Sequence, residues 1–364
     1  MSSTPLKLVS IATALVLALA ACSGSDSTPD STTTSAPAAT TLAPTTTVPA
    51  TTTTTIPPTT TVTVPAIDVS ESINGLFAKD EFIDRRVVAV KVDNHVRARP
   101  QIALNEADVV YEALVEGGIT RFIAMYHTAD FEKVGPNRSG RVTDSDVVKG
   151  LDAVFQISGA QQWVKNIFAA DGIHVLYDTG ATTFRDNSRP APHNLFTSTV
   201  KIRAAADSRG WSDENPGNMF LFGDAPGSGV TATDVSMSFS SAPNSNWEWD
   251  GEHYLRFNGS SPHETFDIDG VKEQVDADVL VALKVREYIA SNPAGSGTSL
   301  PTADTVGEGE AIVFYNGEVV GGTWSRAADT DMFTLTNEDG TPMVIPPGRL
   351  WISLIPNTES VTWE

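Results

Sequence analysis

The chain has 364 residues, of which 45 are Asp or Glu and 24 are Lys or Arg, giving a formal charge of −21. So acidic a chain is a poor bulk partner for nucleic acid or an anionic membrane surface. Its single cysteine excludes a disulfide framework, and its six histidines show no zinc-ligand spacing.

The N-terminus carries Lys7, an apolar run from Leu8 onward, and then Leu19-Ala20-Ala21-Cys22. The run is about fourteen residues, short of the roughly 20 that a spanning helix needs. Residues 1–22 therefore read as a lipoprotein signal peptide with a lipobox, in which small residues admit the signal peptidase. The Cys22 thiol would accept a diacylglyceryl group, and the α-amino group that cleavage frees on Cys22 would accept a further acyl chain such as palmitate. Two hydrophobic signals anchor stably where one is marginal. The expected location is the extracytoplasmic face of a bacterial cell membrane, and no thiol then remains for catalysis or metal binding.

Residues 23–65 are nearly all Thr, Ser, Pro and Ala. With so little apolar mass and so many prolines, this stretch reads as a disordered stalk. Run wholly as polyproline II it would reach on the order of 130 Å, at ~3.1 Å per residue.

From residue 66 the composition turns globular. Val87-Val88-Ala89-Val90-Lys91-Val92 reads as a buried strand ending at Asp93-Asn94-His95. Residues 108–116 and 119–126 read as two strands about Gly117-Gly118, which would put Glu112 and Glu116 on one face. A short helix is expected over residues 145–151 with Asp144 as its N-cap, a strand over 153–157 and a helix over 161–169. Another strand over 174–177 precedes a helix over 197–208, capped by Thr197 or Ser198. Strands alternating with helices make residues 66–223 a mixed α/β domain. Residues 224–364 read as a smaller, mainly-β domain, a barrel or sandwich, with hairpin signals at Asp250-Gly251, Asn258-Gly259 and Asn316-Gly317. The fold class is α+β overall.

The densest chemistry lies in Glu116-Gly117-Gly118-Ile119-Thr120-Arg121, in Gly135-Pro136-Asn137-Arg138-Ser139-Gly140-Arg141 and in Pro192-His193-Asn194-Leu195. Guanidinium groups match carboxylate and phosphate oxygens, so Arg121, Arg138, Ser139 and Arg141 are candidates for an anion cradle, with His193 and Asn194 beside them. The alternative is a structural lock in which Arg138 and Arg141 pair with Glu112 and Glu116. Asp93, Glu116 or His193 would move protons if the site were catalytic. No His-Glu-x-x-His, Gly-x-Ser-x-Gly or Walker loop occurs, so neither a metal nor a cofactor is expected. Ser198-Thr199-Val200-Lys201 matches a Ser-x-x-Lys pattern without the accompanying Lys-Thr-Gly. Asp267-Ile268-Asp269-Gly270 lacks the final Glu of a calcium loop and reads as a surface turn.

These motifs, with Val90-Lys91-Val92-Asp93-Asn94-His95 and Ala107-Asp108-Val109-Val110-Tyr111-Glu112, resemble the YerB-like lipoprotein family. In the second half Tyr254-Leu255-Arg256, Gly259, Pro262-His263, Gly307-Glu308-Gly309, Gly322-Thr323-Trp324 and Pro347-Gly348-Arg349-Leu350-Trp351-Ile352 carry the likeness. It spans residues 87–356. It departs at Asn137, where the family usually has a small apolar residue, and at Glu264, where an aspartate one residue later is usual. The resemblance implies an extracytoplasmic lipoprotein of two domains of unknown function, and it transfers no catalytic residue.

Three functions remain open. The first is a non-enzymatic, membrane-tethered protein that binds an anionic cell-envelope ligand, such as a wall-polymer fragment. The second is a hydrolase or transferase acting on envelope phosphodiesters or glycans. The third is a scaffold for another envelope protein, using an apolar patch around Trp247 and Trp249. For the anchor, the expectation is that Cys22→Ala abolishes labelling by radioactive palmitate and moves the protein into the aqueous phase of a detergent partition. Label retained in the variant would contradict the lipobox.

Overall fold

The structure, a computed structural model, describes residues 72–76, 84–242 and 244–364. The expected signal peptide with Cys22 and the expected stalk over residues 23–65 lie outside the described residues. Everything described belongs to one compact unit, Val62–Glu364. No helix among the described residues is long and apolar enough to cross a membrane.

The first half supplies β1 (Val88–Asp93), β2 (Gln101–Ile102), β3 (Val109–Leu114), β4 (Thr120–Tyr126) and α1 (Val142–Lys149). It continues with β5 (Val154–Gln156), α2 (Gln162–Ala170), β6 (Val175–Leu176), β7 (Thr183–Arg185), β8 (Leu195–Thr197) and α3 (Thr199–Asp207). The second half opens with the short strands β9 (Asp234–Met237), β10 (Ser245–Trp249), β11 (Tyr254–Asn258), β12 (Ser261–Pro262), β13 (Glu264–Phe266), β14 (Lys272–Gln274) and β15 (Asp276–Ala277). It closes with β16 (Val279–Ala290), β17 (Leu300–Asp304), β18 (Gly307–Tyr315), β19 (Glu318–Arg326), β20 (Thr334–Asn337), β21 (Leu350–Pro356) and β22 (Val361–Trp363).

A single sheet of 11 strands joins the halves, in the order β20-β19-β18-β16-β21-β3-β4-β1-β5-β6, with β17 pairing β16. The expectation of a separate barrel or sandwich for the second half is therefore not met. Its long strands extend the sheet that the first half begins. The reason lies in β21, whose seven residues are all buried. A strand apolar on both faces needs a neighbour on each side and cover above and below. It finds β16 on one side and β3 on the other, both parallel to it.

Each face of this sheet has its own core. On one face Ala89, Tyr111, Ile123, Val281 and Leu283 pack with Val148 of α1 and Trp163, Val164 and Phe168 of α2. On the other, Val90, Phe122, Leu280 and Trp351 pack with Ile202 of α3 and with Trp247 and Tyr254 of a second sheet, β12-β11-β10-β9-β22. Trp247 is fully buried there, and Trp249 is half-buried against Tyr254, so the apolar patch expected of a scaffold is not exposed. The Asn316-Gly317 turn between β18 and β19 has positive φ at both residues, 54° and 72°, the geometry that a two-residue hairpin needs. Ser198 caps α3 by accepting from Lys201 N, which gives the Ser-x-x-Lys match a structural role. Asp267 likewise closes a turn, its Oδ1 accepting from the Asp269 and Val271 amides.

Helix α1 starts three residues earlier than expected, and Asp144 sits inside its first turn instead of capping it. Its Oδ2 accepts from the Arg141 amide at 2.7 Å. Its Oδ1 meets Lys91 Nζ at 2.5 Å, with both side chains fully buried. A buried lysine on β1 needed a counter-ion, and the helix supplies one.

The far side of α1 faces the second half. Arg326 donates to Asp146 O and to Thr305 Oγ1, which in turn donates to an Asp146 carboxylate oxygen. Burial, and then Asp329, pushes the Asp146 carboxyl up to about 6 against the pull of Arg326. Because the folded state holds this proton more tightly than the unfolded chain, Asp146 contributes stability in full below the unfolded pKa of about 3.9 and loses it as pH rises through about 6. Asp146→Asn should flatten the stability profile over that window and raise stability near pH 7.5 by on the order of 1–3 kcal/mol. Chemical unfolding of both proteins across the range would read this out. Parallel profiles would contradict it.

Candidate functional site

The site begins where β1 runs out. Alternation along β1 turns Lys91 and Asp93 toward the face covered by α1 and α2, and the antiparallel register sets Asp93 opposite Arg121 on β4. Beyond Asp93 the segment Gly135-Pro136-Asn137-Arg138 lies along the divergence between β1 and β5. Arg138 N donates to Lys91 O, Asp93 N donates to Pro136 O, and Ser158 N donates to Arg138 O. The fully buried Asn137 gives its amide Nδ2 to both Lys91 O and Gln156 O, each at 3.0 Å. That bridging is what a small apolar residue at this position lacks. Gly135 has φ +137°, and a Cβ there would sit 2.7 Å from Asn137 N, so only glycine lets the chain enter this path.

Asp93, buried to 1% exposure, organises the cluster. Its Oδ2 lies 2.7 Å from His193 Nδ1 and 3.2 Å from Arg138 Nε. Its Oδ1 accepts from the His95 amide. The His95 and His193 rings stack, with centroids 4.7 Å apart and 13° between planes. Burial, reinforced by the neighbouring His193, pushes the His95 pKa down. Asp93 thus engages His193 through Nδ1 and fixes the orientation of the ring.

Arg121 donates from Nη1 to Ser139 O at 2.9 Å, and its buried Nε has no hydrogen-bond partner. Burial, followed by the nearby Arg141, lowers the Arg121 pKa to about 10. Arg141 is fully engaged: Nε and Nη2 fork onto the two Glu116 oxygens at 2.6 and 2.8 Å, and Nη1 reaches Gly140 O and Ser139 O. Burial alone would raise the Glu116 pKa, but the bond to Arg141 holds it below the usual carboxylate range.

The structure thus brings together Asp93, Glu116, Arg121, Arg138, Ser139, Arg141 and His193. Three guanidinium groups face two carboxylates, and the Lys91–Asp144 pair beneath them is neutral as a unit. A locally positive site stands in a chain of charge −21. Asn194 does not join, because its Oδ1 accepts from Arg185 Nη1 at 2.8 Å. The lock between Arg141 and Glu116 is present, whereas Arg138 pairs with Asp93 and Glu112 pairs with Arg256 instead of with either loop arginine. Arg138 is more open to solvent than Arg141, its side chain 24% exposed against 11%. Among the described residues no group of three or more His, Cys, Asp or Glu side chains is placed to hold a metal ion.

Sequence reasoning missed a second feature on the opposite face of the same sheet. Glu112, 1% exposed, accepts from Thr120 Oγ1 (2.6 Å), Arg256 Nη2 (2.8 Å) and Trp351 Nε1 (2.9 Å). Together with Asn94, Arg99 and Arg256 it lines a cleft of about 340 Å³. The available signal was a lone carboxylate within an apolar strand, which demands a buried partner.

Known proteins place this arrangement in context. Residues 73–212 match the N-terminal domain, and residues 234–352 the C-terminal domain, of a protein family of unknown function, DUF3048. The chain is 28% identical over 299 residues to the protein named "Putative lipoprotein YerB" from Bacillus subtilis (strain 168), covering 80% of this chain and 87% of that one. It is also similar to the crystal structure of the YerB protein from Bacillus subtilis. That likeness has a TM-score of 0.68 and 26% identity, and it covers 80% of this chain and 98% of the other.

The pair beneath the arginine loop yields a test of how the site is held. Lys91→Met leaves Asp144 buried without its counter-ion, which should cost roughly 3–5 kcal/mol. Adding Asp144→Asn removes the stranded charge while leaving an acceptor for the Arg141 amide, and it should recover part of that loss in urea unfolding. A double variant no more stable than Lys91→Met would show that the charge is not what matters.

Proposed function

Because the chain belongs to the YerB-like lipoprotein family and carries both of its domains of unknown function, we propose that it is a lipid-anchored envelope protein that binds an anionic ligand. Cys22 is its anchor and the Thr/Pro-rich segment its stalk, so the folded part works at a distance from the extracytoplasmic face of the membrane. The ligand class is a fragment of an anionic cell-envelope polymer, presented as phosphate or carboxylate groups. The observation that carries this reading is the excess of three guanidinium groups over two carboxylates at the end of β1. An arginine fork suits planar and tetrahedral oxyanions, and a partly buried setting strengthens the attraction relative to open water.

The roles divide among the residues. Arg138 receives the anion, supported by the unpartnered Arg121 Nε and by His193 Nε2. Arg141 and Glu116 hold the loop in place. Asp93 orients His193 and Arg138 together. The Asp93–His193 pair also favours a second reading, in which the protein is a hydrolase or transferase acting on phosphodiesters or glycans. There His193 Nε2 moves the proton and the arginines stabilise developing charge.

Thermal unfolding of the full-length protein in detergent, with muropeptides, glycerol phosphate polymers and sugar phosphates, tests the binding reading. A ligand at 100 times its dissociation constant should stabilise the fold by roughly 2.7 kcal/mol. Arg138→Gln should lose that shift and, because His193 and the His95 amide still hold Asp93, should melt less far below wild type than Arg141→Gln does without any ligand. A shift that survives Arg138→Gln, or no shift with any of these anions, would contradict the reading. Product formation by wild type that disappears in His193→Gln would promote the catalytic reading over simple binding.

A further inference from the structure

The cleft on the opposite face of the sheet is built differently from the arginine loop. Its floor is the buried Glu112–Arg256 pair, and three aromatic rings enclose that guanidinium: Trp351 at 5.0 Å, Phe122 at 5.3 Å and Trp247 at 5.7 Å. Arg256 Nη1 contacts Asn258 Oδ1 and His263 Nδ1, while its buried Nε has no hydrogen-bond partner. Burial, and then Arg256 and Arg99, holds the His263 pKa far below its usual value, so this ring brings no charge.

Arg99 lines the same cleft. Its Nε and Nη2 are held by Asn94 Oδ1 and Asn94 O at 3.0 and 2.9 Å, which fixes the plane of the group. It lines the main cleft of about 340 Å³ and also an adjoining recess of about 330 Å³ beside Pro100 and Pro262. In the main cleft two guanidinium groups face one carboxylate, while Glu264, which lines the adjoining recess, is paired with Lys272 at 2.9 Å. The walls are largely apolar and include Val96, Ile119, Phe239 and Ala242. A concave, mostly apolar site with a few fixed polar groups is the usual form of a small-molecule pocket.

We propose that this cleft is a second ligand site, for a small monocarboxylate with an apolar body. Its carboxylate sits on Arg99 and its body lies against Ile119 and Phe239. One excess charge matches one carboxylate, and a pre-oriented guanidinium recognises it at little entropic cost. The site is distinct from the arginine loop, since Arg121, Arg138 and His193 do not line the cleft. The Asn94-His95 segment is where the two approach each other. This inference does not depend on the function assigned to the loop.

The test is isothermal titration of the full-length protein with N-acetyl-leucine and N-acetyl-phenylalanine, each beside its neutral amide. Both acids should bind, and both amides should bind at least tenfold more weakly. Arg99→Gln should weaken the acids at least tenfold, and Arg138→Gln should leave them unchanged. Because Arg99→Gln also loosens Asn94, Ala242→Trp serves as a second variant that fills the cleft without touching a charged group, and it should abolish binding. The proposal is overturned if neither acid binds, if amides bind as tightly as acids, or if Arg138→Gln alone weakens binding. Binding that survives both Arg99→Gln and Ala242→Trp would overturn it equally.

Discussion

A carboxylate cannot sit in an apolar interior unless donors surround it, and Glu112 is the place where this chain meets that demand. Its donors come from Thr120 at the start of β4, Arg256 on β11 and Trp351 on β21. Three elements far apart in sequence must therefore arrive at one point. Removing any of them would leave charge or a polar group stranded, a cost of several kcal/mol by general experience with buried pairs. Once those contacts are made, β21 lies beside β3 and the second sheet lies across the first. The two family domains thus share one sheet and one pair of cores rather than docking as finished bodies.

The same sheet then separates two clusters by simple alternation. Side chains at Lys91, Asp93 and Arg121 turn toward the face that α1 and α2 cover, while Glu112 turns toward the second sheet. The helix side gathers arginines on a loop that Asn137 pins and the Arg141–Glu116 fork locks. The other side gathers Arg99 and Arg256 around one carboxylate in an apolar cleft. Both carry one positive charge too many. In a chain with 45 acidic side chains against 24 basic ones, both of these local reversals of sign stand at the same end of the sheet.

How much of this was legible follows from how local each signal is. Strands such as β1 and β4 declare themselves by β-branched runs, and Asn316-Gly317 declares its turn because few other residues accept positive φ twice in a row. The arginine loop was legible as a loop, and Arg141 with Glu116 as one candidate pair. What stayed hidden were the long-range choices. Asp144 looks like a helix cap until Lys91, 53 residues earlier, is seen to require it. Trp247 looks like a surface anchor until Arg256 and Trp351 are seen around it. The insertion of β21 beside β3 pairs residues more than two hundred positions apart, and no local pattern announces such a pairing.

The central claim, that the guanidinium excess beside His193 receives an anion, is met most directly by diffraction. Crystals of the folded part soaked in bromide or tungstate would report bound anions through their anomalous signal. The account predicts a peak within contact distance of Arg138 and His193 Nε2 that disappears in Arg138→Gln crystals. Peaks confined to other parts of the surface, with none at Arg138, would contradict it.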